Sequence, residues 1–297
     1  MKRKMNENAK ASFCAGKKHS NRSARHIAGV VVGNLFVTLF SVSCLYPVIW
    51  LICASLNNKK DFTANPVALP SVPNFSNYGK VFSQTDMGLW MLNTLRNTAV
   101  SLPLILLFGF IAGYMLARCR FKGRTGLYCY FLLGIVIPIH ALMIPMYVLF
   151  KKTDIINRWF TLPVPYIAFG MPIAIFLIES YVHNIPVELE EAAILDGCSF
   201  SRKLFSIVLP ICKPVLVTAG IIQFFTCWNE FSFALILISK NNLVTLPVGM
   251  TLFKGQYSTD YPSMMAAMFL SILPAIIIYL MFSKQIIKGM VTGAVKG

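Results

Sequence analysis

The chain has 297 residues, 56% of them hydrophobic and 13% charged, with a mean hydropathy of +0.65. A soluble domain carries about 25% charged residues, so this composition excludes an ordinary soluble protein and makes lipid the solvent for most of the chain. The formal net charge of +16 points to membrane flanks rather than to nucleic acid, because the basic residues sit between long apolar runs.

In chain order, the first predicted element is a basic tail. Residues 1–26 hold eight Lys and Arg side chains and little to bury, so the tail is expected to be irregular or to lie on anionic lipid. The uncharged run that follows far exceeds the roughly 7–15-residue core of a signal peptide, and no clear A-x-A cleavage pattern accompanies it, so it is expected to be retained. A spanning helix needs roughly 20 mostly apolar residues. Residues 27–56, 97–117, 125–150, 159–178 and 261–283 meet that length without Asp, Glu, Lys or Arg; residues 214–239 meet it with one, Glu230. Backbone N–H and C=O groups in hydrocarbon must be satisfied within the segment, which leaves helices. The predicted fold is an all-α polytopic membrane protein with six transmembrane helices. Prolines in these runs, such as Pro47, Pro103, Pro138 and Pro172, are tolerated where neighbouring helices resatisfy the backbone.

Six spans with the N-terminus inside return the C-terminus inside. The inner segments then hold 18 of the 27 Lys and Arg residues, eight of them in the tail, which is the orientation the Lys/Arg bias favours. Of the eight cysteines, no two form C-x-x-C and none has a histidine at ligand spacing, so neither a disulfide framework nor a metal site is predicted.

The longest inner connection, residues 183–213, reads HNIPVELEEAAILDGCSFSRKLFSIVLPICK. Pro186 suits the first turn of a helix, and Glu188, Glu190 and Glu191 complement the positive end of its macrodipole. Gly197 can take the left-handed conformation that ends a helix, and Ser199 or Ser201 can cap the next one, which runs toward Pro210. These signals predict two short cytosolic helices, the first over 186–196, joined by a tight glycine turn. Ala192 and Ala193 leave a low surface for another protein's backbone. On these grounds alone the hairpin either lies on the membrane or docks a partner.

The spacing Glu191-Ala192-Ala193, three residues, Gly197, nine residues, Ile207-Val208-Leu209-Pro210 resembles the signature of permease subunits of binding-protein-dependent ABC importers. Further stretches, WNEFSFALILIS (228–239), TLPVGM (245–250), YPVIWLICASLN (46–57) and NTLRNTAVSLP (93–103), are similar to the carbohydrate-uptake branch, the second permease of the maltose type. The resemblance covers nearly everything from residue 27. It implies that Glu191, Ala192, Ala193, Gly197, Ile207, Leu209 and Pro210 couple the chain to an ATPase dimer, and that a second homologous permease and an extracytoplasmic solute-binding protein complete the assembly in a bacterial cytoplasmic membrane. ATP and Mg would sit on the ATPase subunits, with no cofactor, metal or catalytic residue on this chain. The implied cargo is a sugar or oligosaccharide, with a polyol or glycerol phosphate as the alternative. The implied organisation is a cytosolic tail (1–26), a first span with an outer segment (27–88), a five-span permease core (89–283) containing the hairpin, and a cytosolic C-terminal tail (284–297). Ile194 departs from the family, which often has Arg there, and the basic tail is longer than usual.

Within the spans, Glu230 stands beside Trp228 and Asn229, about 16 residues into the fifth. An intramembrane carboxylate costs on the order of 3 kcal/mol and is a functional candidate by default. Two readings stand: a carboxylate hydrogen-bonded within the bundle, or one lining the solute path. Trp228 reads as an interfacial belt residue rather than a platform for a sugar ring. Gly109 and Gly113 form a G-x-x-x-G that permits close helix approach, and His140 reads as a core histidine. No P-loop, G-x-S-x-G or H-E-x-x-H occurs, which argues against an enzyme. A lone intramembrane carboxylate is sparse provision for an ion-coupled secondary transporter.

Overall fold

A computed structural model describes residues 2–256 and 260–294, with side chains placed for residues 29–252 and 260–283. The side chains of the basic tail (1–26) and of the C-terminal tail (284–297) lie outside the described residues. Among the described residues the protein is helical, without a strand. Helix α1 (Lys2–Ser55) is followed by two short surface helices, α2 (Lys59–Ala64) and α3 (Ser76–Gln84), and by the long α4 (Met87–Arg118). Then come α5 (Arg124–Val136), a single 3-10 turn over Ile139–Leu142, α6 (Met143–Lys152) and α7 (Pro163–Val182). A cluster of short elements follows: α8 (Glu188–Leu195), α9 (Phe200–Arg202), a π-helical stretch over Lys203–Val208 and α10 (Leu209–Ile211). The chain closes with α11 (Lys213–Trp228), α12 (Ser232–Leu237), α13 (Leu246–Gln256) and α14 (Tyr261–Ala294).

Four helical stretches are long and apolar enough to cross a membrane: Gly29–Ser55 within α1, α4, α7, and Tyr261–Ser283 within α14. Two further apolar pairs are bent. Helix α5 and the segment Ile139–Lys152 meet at 94°, and Phe200–Ile211 meets α11 at 74°. The expected unbroken third span, 125–150, is therefore two helices. Pro138 has no N–H to offer, and it drives Ile137 into the extended region, φ −67° and ψ 119°, as the residue before proline prefers. The fifth apolar run, 214–239, is likewise not one helix: α11 stops at Trp228 and α12 restarts at Ser232. The second begins ten residues before the expected position 97, and Met87, Trp90, Asn93 and Thr94 of that added stretch already pack inside the bundle.

Two glycines set the centre of the bundle. A Cβ on Gly109 would stand 2.8 Å from the Cβ of Ala174, and one on Gly113 would stand 3.1 Å from the Cβ of Ile178. Only hydrogen at those positions lets α4 and α7 approach this closely. Around that contact Ile105, Phe110, Tyr114, Ala174, Ile175, Ile178 and Val208 are buried. The same helix buries a polar stripe, Asn93, Thr94, Asn97, Thr98 and Ser101, at helical spacing. Part of it holds the segment leading into α13: Asn93 Nδ2 donates to the carbonyls of Asn242 and Val244, and Thr94 Oγ1 accepts from the N–H of Leu246. Helix α1 meets α14 through its C-terminal end, while residues 29–47 are uncovered by the rest of the chain. Helix α5 buries none of its side chains.

Candidate functional site

The segment 183–213 folds as a helix, a turn and a second helical stretch. Helix α8 begins at Glu188, two residues later than expected from Pro186, and its acidic first turn holds Glu188, Glu190 and Glu191. At its other end Cys198 N–H donates to Ala193 C=O (2.9 Å) and Gly197 N–H donates to Ile194 C=O (3.0 Å). That pair of bonds is the Schellman arrangement, and it needs a left-handed residue just past the helix. Gly197 supplies it at φ +76°. Ser199 then caps α9, its Oγ accepting from Arg202 N–H, and the chain widens into the π-helical stretch before Pro210. The π winding replaces the regular helix expected there. Such stretches are rare and frequently lie at functional sites.

The signature residues divide by exposure. Glu191, Ala192, Gly197 and Pro210 face outward, Ile207 and Leu209 are half-buried, and Ala193 is buried. Beside them Ile194 is 56% and Leu195 87% exposed. An apolar tip of this kind, uncovered by its own chain, suits a protein partner.

Glu190 turns the other way, and sequence reasoning missed it. Its Oε2 accepts from the Tyr114 hydroxyl (2.6 Å) and lies 3.2 Å from Lys203 Nζ; its Oε1 accepts from Arg118 Nε (2.8 Å). Arg118 also donates to the carbonyl of Ile185 (2.5 Å). The Lys203 ammonium stands 5.8 Å from the ring centres of both Tyr114 and Phe200. Burial pushes the Glu190 carboxyl up, but the hydrogen bonds from Tyr114, Lys203 and Arg118 outweigh it and hold the group below the ordinary carboxylate value. Three neighbouring glutamates look equivalent in sequence. Only the tertiary arrival of Tyr114 and Arg118 singles out one of them, and no local signal announces it.

Glu230 occupies the break between α11 and α12. Its Oε1 accepts from Phe233 N–H (2.6 Å), and its Oε2 accepts from Ala234 N–H (3.1 Å) and from the Tyr166 hydroxyl (3.1 Å). The carboxylate thus fills the role of a helix cap, taking the free donors of α12, and ties that start to the first turn of α7. Trp228 is buried, not an interfacial belt residue: its Nε1 donates to Ser271 C=O (3.2 Å) and its ring stacks on Phe224. A tryptophan with its N–H satisfied inside the bundle gains more from packing than from the interface. Asn229 is exposed beside it. His140, expected in the core, is exposed in the 3-10 turn after Pro138, because the break in the apolar run turns it out of the bundle.

Similarity to known proteins covers the same elements. The model of a family described as the binding-protein-dependent transport system inner membrane component matches residues 105–290. The sulfoquinovosyl glycerol transport system permease protein of Agrobacterium fabrum is 31% identical over 261 residues, 88% of this chain and 92% of that protein. The trehalose/maltose transport system permease protein of Thermococcus litoralis is 32% identical over 265 residues, 87% and 94% of the two chains. Among solved structures, a bacterial ABC transporter involved in the import of the acidic polysaccharide alginate superposes with a TM-score of 0.75 over 86% of this chain and 95% of that one, at 24% identity, a likeness of fold.

Proposed function

The chain belongs to the family of binding-protein-dependent transport system inner membrane components, and from that premise we propose that it is a permease subunit of an ATP-driven carbohydrate importer. It sits in the cytoplasmic membrane with a homologous permease, and each permease contributes half of a solute cavity. Helix α5 with Ile139–Lys152 counts as the third span and α11 with α12 as the fifth, giving six, with both termini and the 183–213 hairpin in the cytosol. Residues 89–283 make up the permease core; residues 27–88 add a first span and an outer segment.

The work is alternating access. ATP and Mg bind to separate ATPase subunits, whose closure pushes on Glu191, Ala192, Ala193 and the glycine turn. The second helical stretch, with Ile207, Leu209 and Pro210, passes that movement to the spans, and the cavity changes from inward-open to outward-open. An extracytoplasmic binding protein then delivers solute. No covalent bond is made or broken on this chain. Glu230 maintains the α11–α12 break within the bundle, and Trp228 and Asn229 flank it.

The observation that carries this reading is that the E-A-A, Gly, I-x-L-P spacing falls on a helix that exposes Glu191 and Ala192, a left-handed turn that requires the glycine, and a second helical stretch. Carbohydrate as the cargo is supported by the relatives, among them transport permeases for trehalose/maltose and arabinooligosaccharides. The deciding experiment is uptake in cells under two treatments. Uptake is expected to survive a protonophore that leaves ATP intact and to fail when ATP is depleted; the reverse result would favour a secondary transporter. An Ala192→Cys variant is expected to cross-link to the ATPase subunit.

A further inference from the structure

Helix α8 offers a partner most of its surface, so its grip on its own bundle is small. Only Glu190 and Ala193 of its residues are buried. Ala193 contributes a methyl group. Glu190 contributes both carboxylate oxygens to a cluster that reaches two different elements. Tyr114 and Arg118 come from the last turns of α4, and Lys203 begins the π-helical stretch. The cluster is nearly dry, with side-chain exposures of 13% for Arg118, 12% for Lys203 and 6% for Glu190. Arg118 also bonds the carbonyl of Ile185, just before α8.

We propose that Glu190 is a positioning residue, the joint through which displacement of α8 enters the membrane bundle at the end of α4. The inference rests on the importer reading and assigns it a specific path. Helix α4 suits the receiving end: it is 32 residues long and packs along α7 at Gly109 and Gly113, so a push at Tyr114 and Arg118 moves two spans together. Charge-assisted hydrogen bonds of this geometry are short and directional, and a buried ion pair that loses one partner leaves the other charge uncompensated. A purely apolar contact at the same place would let α8 slide over α4. The Glu190 carboxylate, held from three directions, lets it only turn with it.

The test uses the full importer in proteoliposomes, with its ATPase subunits, partner permease and liganded binding protein, reading ATP hydrolysis and solute uptake side by side. Glu190→Gln and Arg118→Gln are each expected to keep the ATPase subunits bound but to lower uptake per ATP by about three- to thirtyfold. The double variant is expected to be no worse than the weaker single one, because both break the same joint. Glu190→Asp, which keeps the charge on a shorter arm, is expected to recover part of the coupling. A structural role alone would reduce the amount of folded protein and leave uptake per ATP unchanged in what remains; that outcome, in a working parent complex, overturns the joint. Should Glu190→Gln fail to accumulate, Lys203→Gln, which removes the second cation from the same carboxylate, gives the same comparison. A parent complex whose uptake ignores ATP overturns the importer reading itself, and the joint with it.

Discussion

The Glu230 carboxylate accepts a 2.6 Å hydrogen bond from the backbone N–H of Phe233, three residues further along the chain. This is the spacing of a helix cap, although a glutamate fills it where shorter side chains are usual. A second N–H, from Ala234, and the Tyr166 hydroxyl share its other oxygen. Replacing Glu230 with Leu leaves two backbone donors and a phenol without a partner inside the bundle. The expected loss is about 2–3 kcal/mol of stability, read as a lowered thermal midpoint of the detergent-solubilised protein. Glu230→Gln keeps one acceptor oxygen and is expected to lose less, about 1 kcal/mol. Equal midpoints for Glu230→Leu and the parent would remove the cap from the argument.

The contact between α4 and α7 gives a second prediction, with an internal rescue. Gly109→Ala places a methyl 2.8 Å from the Cβ of Ala174, closer than two carbon atoms can sit. Overpacking of this kind costs about 1–3 kcal/mol. Ala174→Gly removes the opposing methyl, so the pair Gly109→Ala with Ala174→Gly is expected to regain most of the loss. Gly126, whose Cβ would meet nothing within 4 Å, serves as the control: Gly126→Ala is expected to be neutral or slightly stabilising. Thermal unfolding of the four proteins decides it, and a pair no better than Gly109→Ala alone would contradict the geometry.

What could be read from the sequence, and what could not, follows a physical line. Apolar runs of spanning length and the glycine turn at Gly197 are local properties, and they were legible. The positions of the breaks were not. Several prolines lie in the apolar runs, yet Pro103 stays inside α4 and Pro172 inside α7, whereas Pro138 ends α5; packing of neighbours decides which kink becomes a break. Glu230 was visible as an isolated carboxylate, but its role as a cap depends on a chain break that hydropathy does not mark. Glu190 was indistinguishable from Glu188 and Glu191 because its partners Tyr114 and Arg118 lie more than 70 residues away in sequence.

Acid should loosen the hairpin through Glu190. Its carboxyl titrates below the ordinary value of 4.5 in the folded protein, so the unfolded chain binds the proton first and stability falls with falling pH. The contribution is fully present above that ordinary value and is lost as pH drops through the lowered folded value. Lys203 behaves in the opposite sense: its ammonium is held above 10.5, so its contribution persists up to that pH and is lost beyond it. The parent is therefore expected to lose thermal stability more steeply than Glu190→Gln as pH falls below 4.5. Parallel pH profiles for the two proteins would show that the carboxylate does not carry the effect.

Gly197 separates backbone strain from steric clash, because a Cβ there would meet no atom within 4 Å. Any penalty comes from the conformation itself, φ +76°, which costs an ordinary L-residue about 1–2 kcal/mol. Asparagine tolerates the left-handed region better than alanine, and a β-branched residue tolerates it least. The expected order of uptake is therefore Gly, then Gly197→Asn, Gly197→Ala and Gly197→Val. A penalty of this size lowers the thermal midpoint by only about a few degrees in a chain of this length, so all three variants are expected to fold and reach the membrane. The turn sets the angle between α8 and the stretch that follows, so tilting it misdirects the exposed tip at Ile194 and Leu195 from whatever grips it. Measured uptake at matched membrane levels tests the order. Full uptake by Gly197→Val would mean that the left-handed turn is not what aligns the hairpin.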